Sequence, residues 1–117
     1  MKRELADRTK AFALRVVRMY SALPSSRIAD VMGHQALRSG TSVGAHYREA
    51  FRARSNAEVI SKLEVALQEL DETQYWLELL IESGIVTARR LQSLLQEANE
   101  LTAILVSSVK TIKRRRR

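Results

Sequence analysis

The sequence predicts an all-α protein folded as an up-down-up-down four-helix bundle. Apolar residues recur at spacings of three and four through four long segments, which is the periodicity of an amphipathic helix. The 117 residues include only one proline and four glycines, too few for the turns of a sandwich or barrel of short strands. Cysteine is absent, which excludes a disulfide framework, a thiolate metal site and a cysteine nucleophile.

The first predicted helix runs from about Arg3 to Leu23. Pro24 ends it, because the residue before a proline avoids the helical region. Ser25 or Ser26 then offers an N-cap for the second helix. The apolar stripe of the first helix consists of Leu5, Thr9, Phe12, Val16, Met19, Tyr20 and Leu23.

The second predicted helix runs from about Ser26 to Arg54 and has an inward stripe that is unusually polar at its centre. That stripe comprises Ile28, Val31, Met32, Gln35, Ser39, Ser42, Val43, His46, Tyr47 and Ala50. It also contains small residues at Ala29, Gly33, Ala36, Gly40 and Gly44. Each internal glycine costs a helix about 1 kcal/mol relative to alanine. Either another backbone approaches closely there, or the helix breaks near Gly40.

The third predicted helix begins with a capping box at Ser55-Asn56-Ala57-Glu58. Its core stripe continues to Ile81, and Gly84 occupies the position where a left-handed residue ends a helix. Trp76 lies off this stripe and forms a second apolar face. We therefore expect Trp76 to anchor an interface or the edge of the bundle.

The fourth predicted helix runs from about Thr87 to Ile112 and repeats the same stripe from Leu91 onward. A run of cations closes the chain, more than the negative end of a helix dipole requires. We therefore divide the chain into a four-helix bundle at residues 1–112 and a basic C-terminal tail at residues 113–117. Helices of this length are roughly 30 to 40 Å long.

Charge is distributed unevenly along the chain, which has a net charge of +7. Residues 1–54 and 110–117 are strongly basic, and residues 55–109 are acidic. The basic segments either pair with the acidic third helix, within the bundle or between subunits, or form a nucleic-acid-binding surface. The candidate nucleic-acid-binding residues are Arg15, Arg18, Arg48, Arg52, Arg54, Lys110, Lys113, Arg114, Arg115, Arg116 and Arg117.

No motif predicts catalysis. His34 and His46 are twelve residues apart, and neither is preceded three residues earlier by the glutamate of a di-iron bundle. The chain has neither a glycine-rich phosphate loop nor a nucleophile elbow. We expect no catalytic residue, no bound metal and no cofactor, and so a protein that is not an enzyme.

The polar residues of the second helix need partners if they are buried. They either bond across the bundle and fix its register or line a channel between subunits. Arg38 is expected to pair with a carboxylate, supplied by Glu49 or by an acidic residue of the third helix. No apolar run reaches the roughly 18 residues that a membrane span requires, so we expect none. Met1 is followed by Lys2 and Arg3 without an apolar segment, so we also expect no signal peptide and a cytoplasmic location.

Residues 35–50 and the capping box that follows carry a family resemblance. The pattern is Gln35-Ala-Leu-Arg38-Ser39-Gly-Thr-Ser42-Val-Gly-Ala-His-Tyr-Arg-Glu49-Ala50, then Ser55-x-x-Glu58. It resembles the four-helix-bundle proteins first noticed as reading frames in intervening sequences of bacterial 23S ribosomal RNA genes. The sequence departs from the family at His46, where asparagine is usual, and at Ala50, where glycine is common. The matching structural residues are Gln35, Arg38, Ser39, Ser42, Glu49, Ser55 and Glu58.

The resemblance implies an up-down four-helix bundle that assembles as a ring-shaped homopentamer. The family is distantly similar to the accessory variability protein of diversity-generating retroelements, which binds nucleic acid and a reverse transcriptase. Two hypotheses follow for this chain. It is a nucleic-acid-binding oligomer that neutralises phosphates on RNA or DNA, or a scaffolding oligomer that docks a protein partner such as a reverse transcriptase.

Overall fold

The computed structural model describes residues 3–115, which form four α-helices joined by three short connections. The helices are α1 (Arg3–Ser21), α2 (Arg27–Phe51), α3 (Asn56–Glu82) and α4 (Ala88–Arg115). The described part of the chain contains no β-strand. The all-α, four-helix prediction is therefore confirmed. The molecule measures about 50 × 20 × 20 Å.

Each helix packs against the next one along the chain, and α4 also packs against α1. The α2–α3 pair has the most extensive contact and the α1–α4 pair the least. Arg8 of α1 contacts Glu97 of α4, and Arg15 contacts Ser93, so these two helices run antiparallel. The sparse packing between α1 and α4 leaves open grooves along that side of the bundle.

Three helix boundaries differ from the prediction. Helix α1 ends at Ser21, two residues before Leu23, and the chain turns there as the Ala22 and Leu23 amides bond to carbonyls of the last turn. Helix α2 ends at Phe51 and not at Arg54. Helix α4 continues past Ile112 to Arg115 because cations are favourable at the negative end of a helix dipole.

The predicted N-cap at Ser26, the serine half of the predicted capping box at Ser55 and the left-handed residue at Gly84 are confirmed. Ser26 and Ser55 have extended backbones, and each hydroxyl accepts a hydrogen bond from the amide three residues later. At the end of α3, Gly84 has a φ of 79°. The Gly84 amide bonds to the Ile81 carbonyl and the Ile85 amide to the Leu80 carbonyl, which is a Schellman motif.

The predicted inward stripe of α2 is wrong near the start of the helix and confirmed in its second half. Ile28 and Val31 are 64% and 54% exposed, whereas Ser39, Val43, Tyr47 and Ala50 are buried. The small residues of the stripe are also buried: Ala29, Gly33, Ala36 and Gly40. Helix α2 is continuous through Gly40, so the alternative of a break there is wrong.

The glycines of α2 receive side chains and backbone of α1. A Cβ added at Gly40 would lie 2.9 Å from Val16 Cγ2, and one at Gly44 would lie 3.5 Å from the backbone carbon of Thr9. The small-residue face therefore packs α1 against α2 within one chain. It is not a surface left free for another subunit.

Candidate nucleic-acid interface

The candidate cations belong to three groups along the chain, on α1, at the end of α2 and at the end of α4. The bundle topology brings the α2 and α4 groups to one end of the molecule. Arg48, Arg52 and Arg54 belong to the last turn of α2 and the connection after it, and all three are exposed. The basic residues of α4 occupy its final turns and are also exposed. We call this surface the basic end: Arg48, Arg52, Arg54, Lys110, Lys113, Arg114 and Arg115.

Two cross-helix ion pairs fix the position of the basic end. Lys62 Nζ lies 3.0 Å from Glu49 Oε2, which places the end of α2 beside the start of α3. Lys113 Nζ lies 3.5 Å from Glu64 Oε2, which places the end of α4 beside the same part of α3. The two clusters of cations therefore flank the first turns of α3. Arg116 and Arg117 lie outside the described residues.

Most cations of the basic end have no carboxylate partner within residues 3–115. Lys113 is the exception, and its pair with Glu64 is half exposed on both sides, where an ion pair contributes little. The ends of α2 and α4 both carry the negative end of a helix dipole, so part of this positive charge stabilises the helices. The remainder is available to an anionic partner.

Arg15 and Arg18 lie elsewhere. They belong to the second half of α1, whose end is at the opposite end of the bundle from the last turns of α2 and α4. Arg15 Nη2 donates to Ser93 Oγ at 2.9 Å, and Arg90, which the sequence did not single out, lines the same groove as Arg15 and Arg18. The candidate residues therefore form two separate surfaces and not one.

Arg38 is paired with carboxylates of α3, as the sequence predicted, and not with Glu49. Its guanidinium bonds to Glu72, lies 3.4 Å from Glu69 Oε2 and donates from Nε to Gln35 Oε1 at 3.1 Å. Ser42 Oγ donates to the same Glu69 oxygen at 2.9 Å. These polar residues therefore bond between α2 and α3, as the first of the two alternatives predicts; the channel between subunits stays a prediction.

The pair formed by Ser39 and Thr73 forms the buried part of this network. Both side chains are fully buried, and their hydroxyl oxygens lie 2.8 Å apart. Every buried side-chain nitrogen or oxygen within residues 3–115 has a hydrogen-bond partner. Sequence reasoning did not identify Thr73 as a partner, although it lies on the core stripe of α3 opposite the polar centre of α2.

Glu49 and Glu72 are both held in their charged form. Hydrogen bonds from Trp76 Nε1 and from Arg38 lower the pKa of Glu72. The Lys62 ammonium lowers the pKa of Glu49, which also lies 3.1 Å from Nδ1 of His46. Through Arg38, Ser42 and Glu49, the motif along α2 makes contacts to α3 along one side of the bundle.

Residues 3–115 form neither a metal site nor a membrane span. No three histidine or acidic side chains lie close enough together to hold a metal ion. None of the four helices has an apolar stretch that would span a bilayer.

Comparisons with known proteins relate the chain to one family. The family model described as 23S rRNA-intervening sequence protein matches residues 1–107. The match therefore stops before Lys110, the first cation of the α4 cluster. No curated protein matches the chain.

A solved structure is similar over nearly the full length. It is the crystal structure of a protein with unknown function from the S23 ribosomal protein family of Bacteroides thetaiotaomicron VPI-5482. It is 42% identical, with a TM-score of 0.85, and the alignment covers 91% of this chain and 95% of that one. Together with the helix count and the motif along α2, the family match identifies the chain: it belongs to the 23S rRNA-intervening sequence protein family.

Proposed function

We propose that this protein is a non-enzymatic, cytoplasmic oligomer that binds nucleic acid through the basic end. The observation that carries the proposal is the convergence of exposed cations from α2 and α4 beside the start of α3, most of them without a carboxylate partner among the described residues. Arginines dominate this surface, and their guanidinium groups match phosphate geometry.

Recognition is expected to be mainly of the phosphate backbone. The chain has one tryptophan, three tyrosines and two phenylalanines, few for a protein that reads single strands by stacking. Within the basic end, Phe51 is 51% exposed and stands next to Arg52. This ring offers one position at which an unpaired base stacks, and it gives a way to separate single-stranded from duplex ligands.

Binding is tested by fluorescence anisotropy with RNA and DNA oligonucleotides over a salt series. Two double variants each remove two charges from the basic end: Arg52→Gln with Arg54→Gln, and Arg114→Gln with Arg115→Gln. Each lost phosphate contact reduces the slope of log affinity against log salt by about 0.9 for duplex DNA. We expect each double variant to lose close to two phosphate contacts and to reduce the slope by the corresponding amount, about 1.8 for duplex DNA. Substitution is preferable to deletion after Ile112, which would also remove the last helical turn.

A matched control removes two exposed arginines from the opposite end of the bundle, Arg27→Gln with Arg89→Gln. It has the same net charge as each test variant and should bind as the natural protein does. An equal loss of affinity in this control would show that only overall charge matters. If the natural protein binds no nucleic acid at low salt, the proposal is wrong and the scaffolding function is favoured. Phe51→Ala should weaken binding of single strands and leave duplex binding unchanged.

The exposed apolar surface on α2 and α3 favours self-association. Ile28 and Val31 are mostly exposed, and the register set by the Arg38–Glu72 pair brings them opposite the last turns of α3. Tyr75 is 54% exposed nearby on α3. We propose that this face joins subunits, with the five-membered ring suggested by the family resemblance. A ring would present several basic ends together and raise avidity for a long nucleic acid.

Light scattering tests this second proposal. A mass of 13.3 kDa would contradict any oligomer, and a dimer would contradict the ring. Ile28→Asp with Val31→Asp should dissociate the assembly. The comparator is Leu14→Asp with Val17→Asp, because these residues are exposed apolar side chains on α1. Dissociation by the comparator alone would move the interface to α1.

A further inference from the structure

A cavity of about 310 Å³ opens between the end of α1 and the start of α4. It forms where the least extensive helix pair of the bundle meets the turn after α3. Its floor is apolar and consists of Met19, Leu23, Ile85, Val86, Leu91 and Leu94. Its rim carries three cations, Arg15, Arg18 and Arg90. We call it the arginine-rimmed pocket.

The charge of this pocket is not balanced by its lining, which includes no carboxylate. Arg15 is held by the neutral Ser93 hydroxyl. Arg18 and Arg90 are exposed and have no ion-pair partner within residues 3–115. Glu97, one helical turn beyond Ser93, is engaged by Arg8, whose Nε and Nη2 lie 2.8 Å from its two oxygens.

A second cavity lies at the other end of the same groove and has a different character. It is larger, about 700 Å³, but its rim combines Glu4 with Arg8 and Arg115. Its lining also includes Ser107, Ser108 and Thr111. Mixed charge and several hydroxyls give it no single ligand preference. Of these two cavities, the arginine-rimmed pocket is the one that joins an apolar floor to charge of one sign. A third cavity, of about 250 Å³, also carries only positive charge, from Lys10 and Arg48, but its apolar lining is of alanines and Gly44 and offers little surface to a hydrocarbon chain.

We infer that the arginine-rimmed pocket binds a small amphiphilic organic anion. The hydrocarbon part of the ligand lies on the apolar floor, and its carboxylate or phosphate group accepts hydrogen bonds from the guanidinium groups of Arg18 and Arg90. The volume of this pocket lies at the lower end of the range typical of small-molecule sites, which combine apolar surface with a few polar groups. Charge-assisted hydrogen bonds to arginine are strong and favour anions.

The pocket is independent of the basic end. It lies at the opposite end of a molecule about 50 Å long, and its aliphatic floor has no side chain that would read the edge of a base. A small amphiphile fits both the volume and the charge. The inference therefore stands whether or not the basic end binds nucleic acid.

The probe is octanoate, added to the full-length protein and followed by calorimetry and by amide chemical shifts. We expect shifts at Ile85 and Val86 and in the last turn of α1. Octyltrimethylammonium has the same chain and the opposite charge, and it should bind at least tenfold more weakly. Inorganic phosphate, which has the charge without the chain, should also bind at least tenfold more weakly than octanoate.

Substitutions separate the pocket from general surface charge. Arg18→Gln and Arg90→Gln should each weaken octanoate binding about tenfold, the usual effect of losing one charge-assisted hydrogen bond. Arg89→Gln is the matched control, since Arg89 is exposed on the same turn of α4 and does not line the pocket. Ala22→Phe, at an exposed lining position, should fill the mouth and abolish binding. Thermal melts establish that each variant is folded.

Several results would overturn the inference. They are no octanoate binding at millimolar concentration, equal binding of the cationic analogue, or equal loss in Arg89→Gln. Shifts confined to the larger cavity would assign the ligand to that site. Displacement of octanoate by an RNA oligonucleotide would make the pocket part of a nucleic-acid surface and would also contradict the proposal.

Discussion

The hydroxyl of Thr73 lies 2.8 Å from the hydroxyl of Ser39 in the fully buried contact between α3 and α2. Ser39 Oγ also lies 2.9 Å from the Gln35 carbonyl, and Thr73 Oγ1 lies 2.7 Å from the Glu69 carbonyl. Each hydroxyl has one hydrogen to donate. Ser39 donates to the Gln35 carbonyl, and Thr73 donates to Ser39 Oγ, so the Thr73 hydrogen makes the bond between the two helices. The pair is a polar bond between helices that leaves no buried group unsatisfied.

A double-mutant cycle tests the energy of this bond. Ser39→Ala and Thr73→Val should each lower the free energy of unfolding by about 1 kcal/mol, the net value of a neutral hydrogen bond. Both single variants lose the same bond, so the double variant should lose at least about 0.5 kcal/mol less than their sum. Urea unfolding followed by circular dichroism measures this difference, and strict additivity would show that the two hydroxyls do not interact.

Gly40 is held by close packing and not by helix propensity. Alanine there should gain about 1 kcal/mol of propensity, but its Cβ would stand 2.9 Å from Val16, whose branched side chain has little freedom. Overpacking costs about 1 to 3 kcal/mol, so we expect Gly40→Ala to lower the melting temperature. Gly44→Ala would place its Cβ 3.3 Å from Thr9 Oγ1, a less severe approach than the 2.9 Å at Gly40, and should cost less. A higher melting temperature in Gly40→Ala would contradict this account.

Local chemistry explains what the sequence predicted well. Ser26, Ser55 and Gly84 act within one turn of their own helices, so their roles are readable without the fold. The face of α2 was harder, because hydrophobic periodicity selects large side chains such as Ile28 and Val31. Close approach of α1 buries the smallest side chains instead, and this depends on the partner helix.

In the candidate site, too, the sequence predicted local features well and failed where the packing of other helices decides. The sequence established that Arg38 needs a carboxylate, but the register between α2 and α3 decides that Glu72 provides it and Glu49 does not. Arg15 and Arg18 were grouped with the other cations because they share a charge. The antiparallel course of the chain separates them from the basic end and brings them to Arg90, which is distant in sequence.

Acid should weaken the contacts that α1 and α2 make with their neighbours. The pKa of Glu97 is lowered by hydrogen bonds from Arg8, and the pKa of Glu72 by those from Trp76 and Arg38. A carboxyl group whose pKa is lower in the folded state stabilises the fold at a pH above 4.5, the ordinary pKa of a glutamate. That stability is lost as the pH falls through the lowered folded value. The free energy of unfolding should therefore decrease as the pH is lowered below about 4.5.

The two carboxyl groups can be assigned by substitution. Glu97→Gln removes one titrating group and should flatten the decrease in stability with falling pH. Glu72→Gln should do the same, since it acts through a separate helix pair. Glu78→Gln is the control, because Glu78 is exposed and makes no ion pair within residues 3–115. A pH dependence that remains unchanged in both test variants would place the acid sensitivity elsewhere.

Trp76 combines packing with a polar contact. Its ring is half-buried against the core and meets the Tyr75 ring edge-on, with centroids 5.2 Å apart. Its Nε1 donates to Glu72 Oε2 at 2.9 Å. Trp76→Phe should lose about 1 kcal/mol, since it keeps the packing and removes the hydrogen bond. Trp76→Ala should lose more, approaching the 3 to 5 kcal/mol typical of a fully buried tryptophan.

Comparing mass and stability in these two variants separates the roles of Trp76. If the ring also contacts another subunit, Trp76→Ala will shift the mass from light scattering toward the monomer, whereas Trp76→Phe will retain the assembly. If the ring only closes the edge of the bundle, stability will fall without any change in mass. A Trp76→Ala variant that keeps both its mass and its unfolding free energy would exclude both roles, because a side chain packed against the core must contribute to one of them.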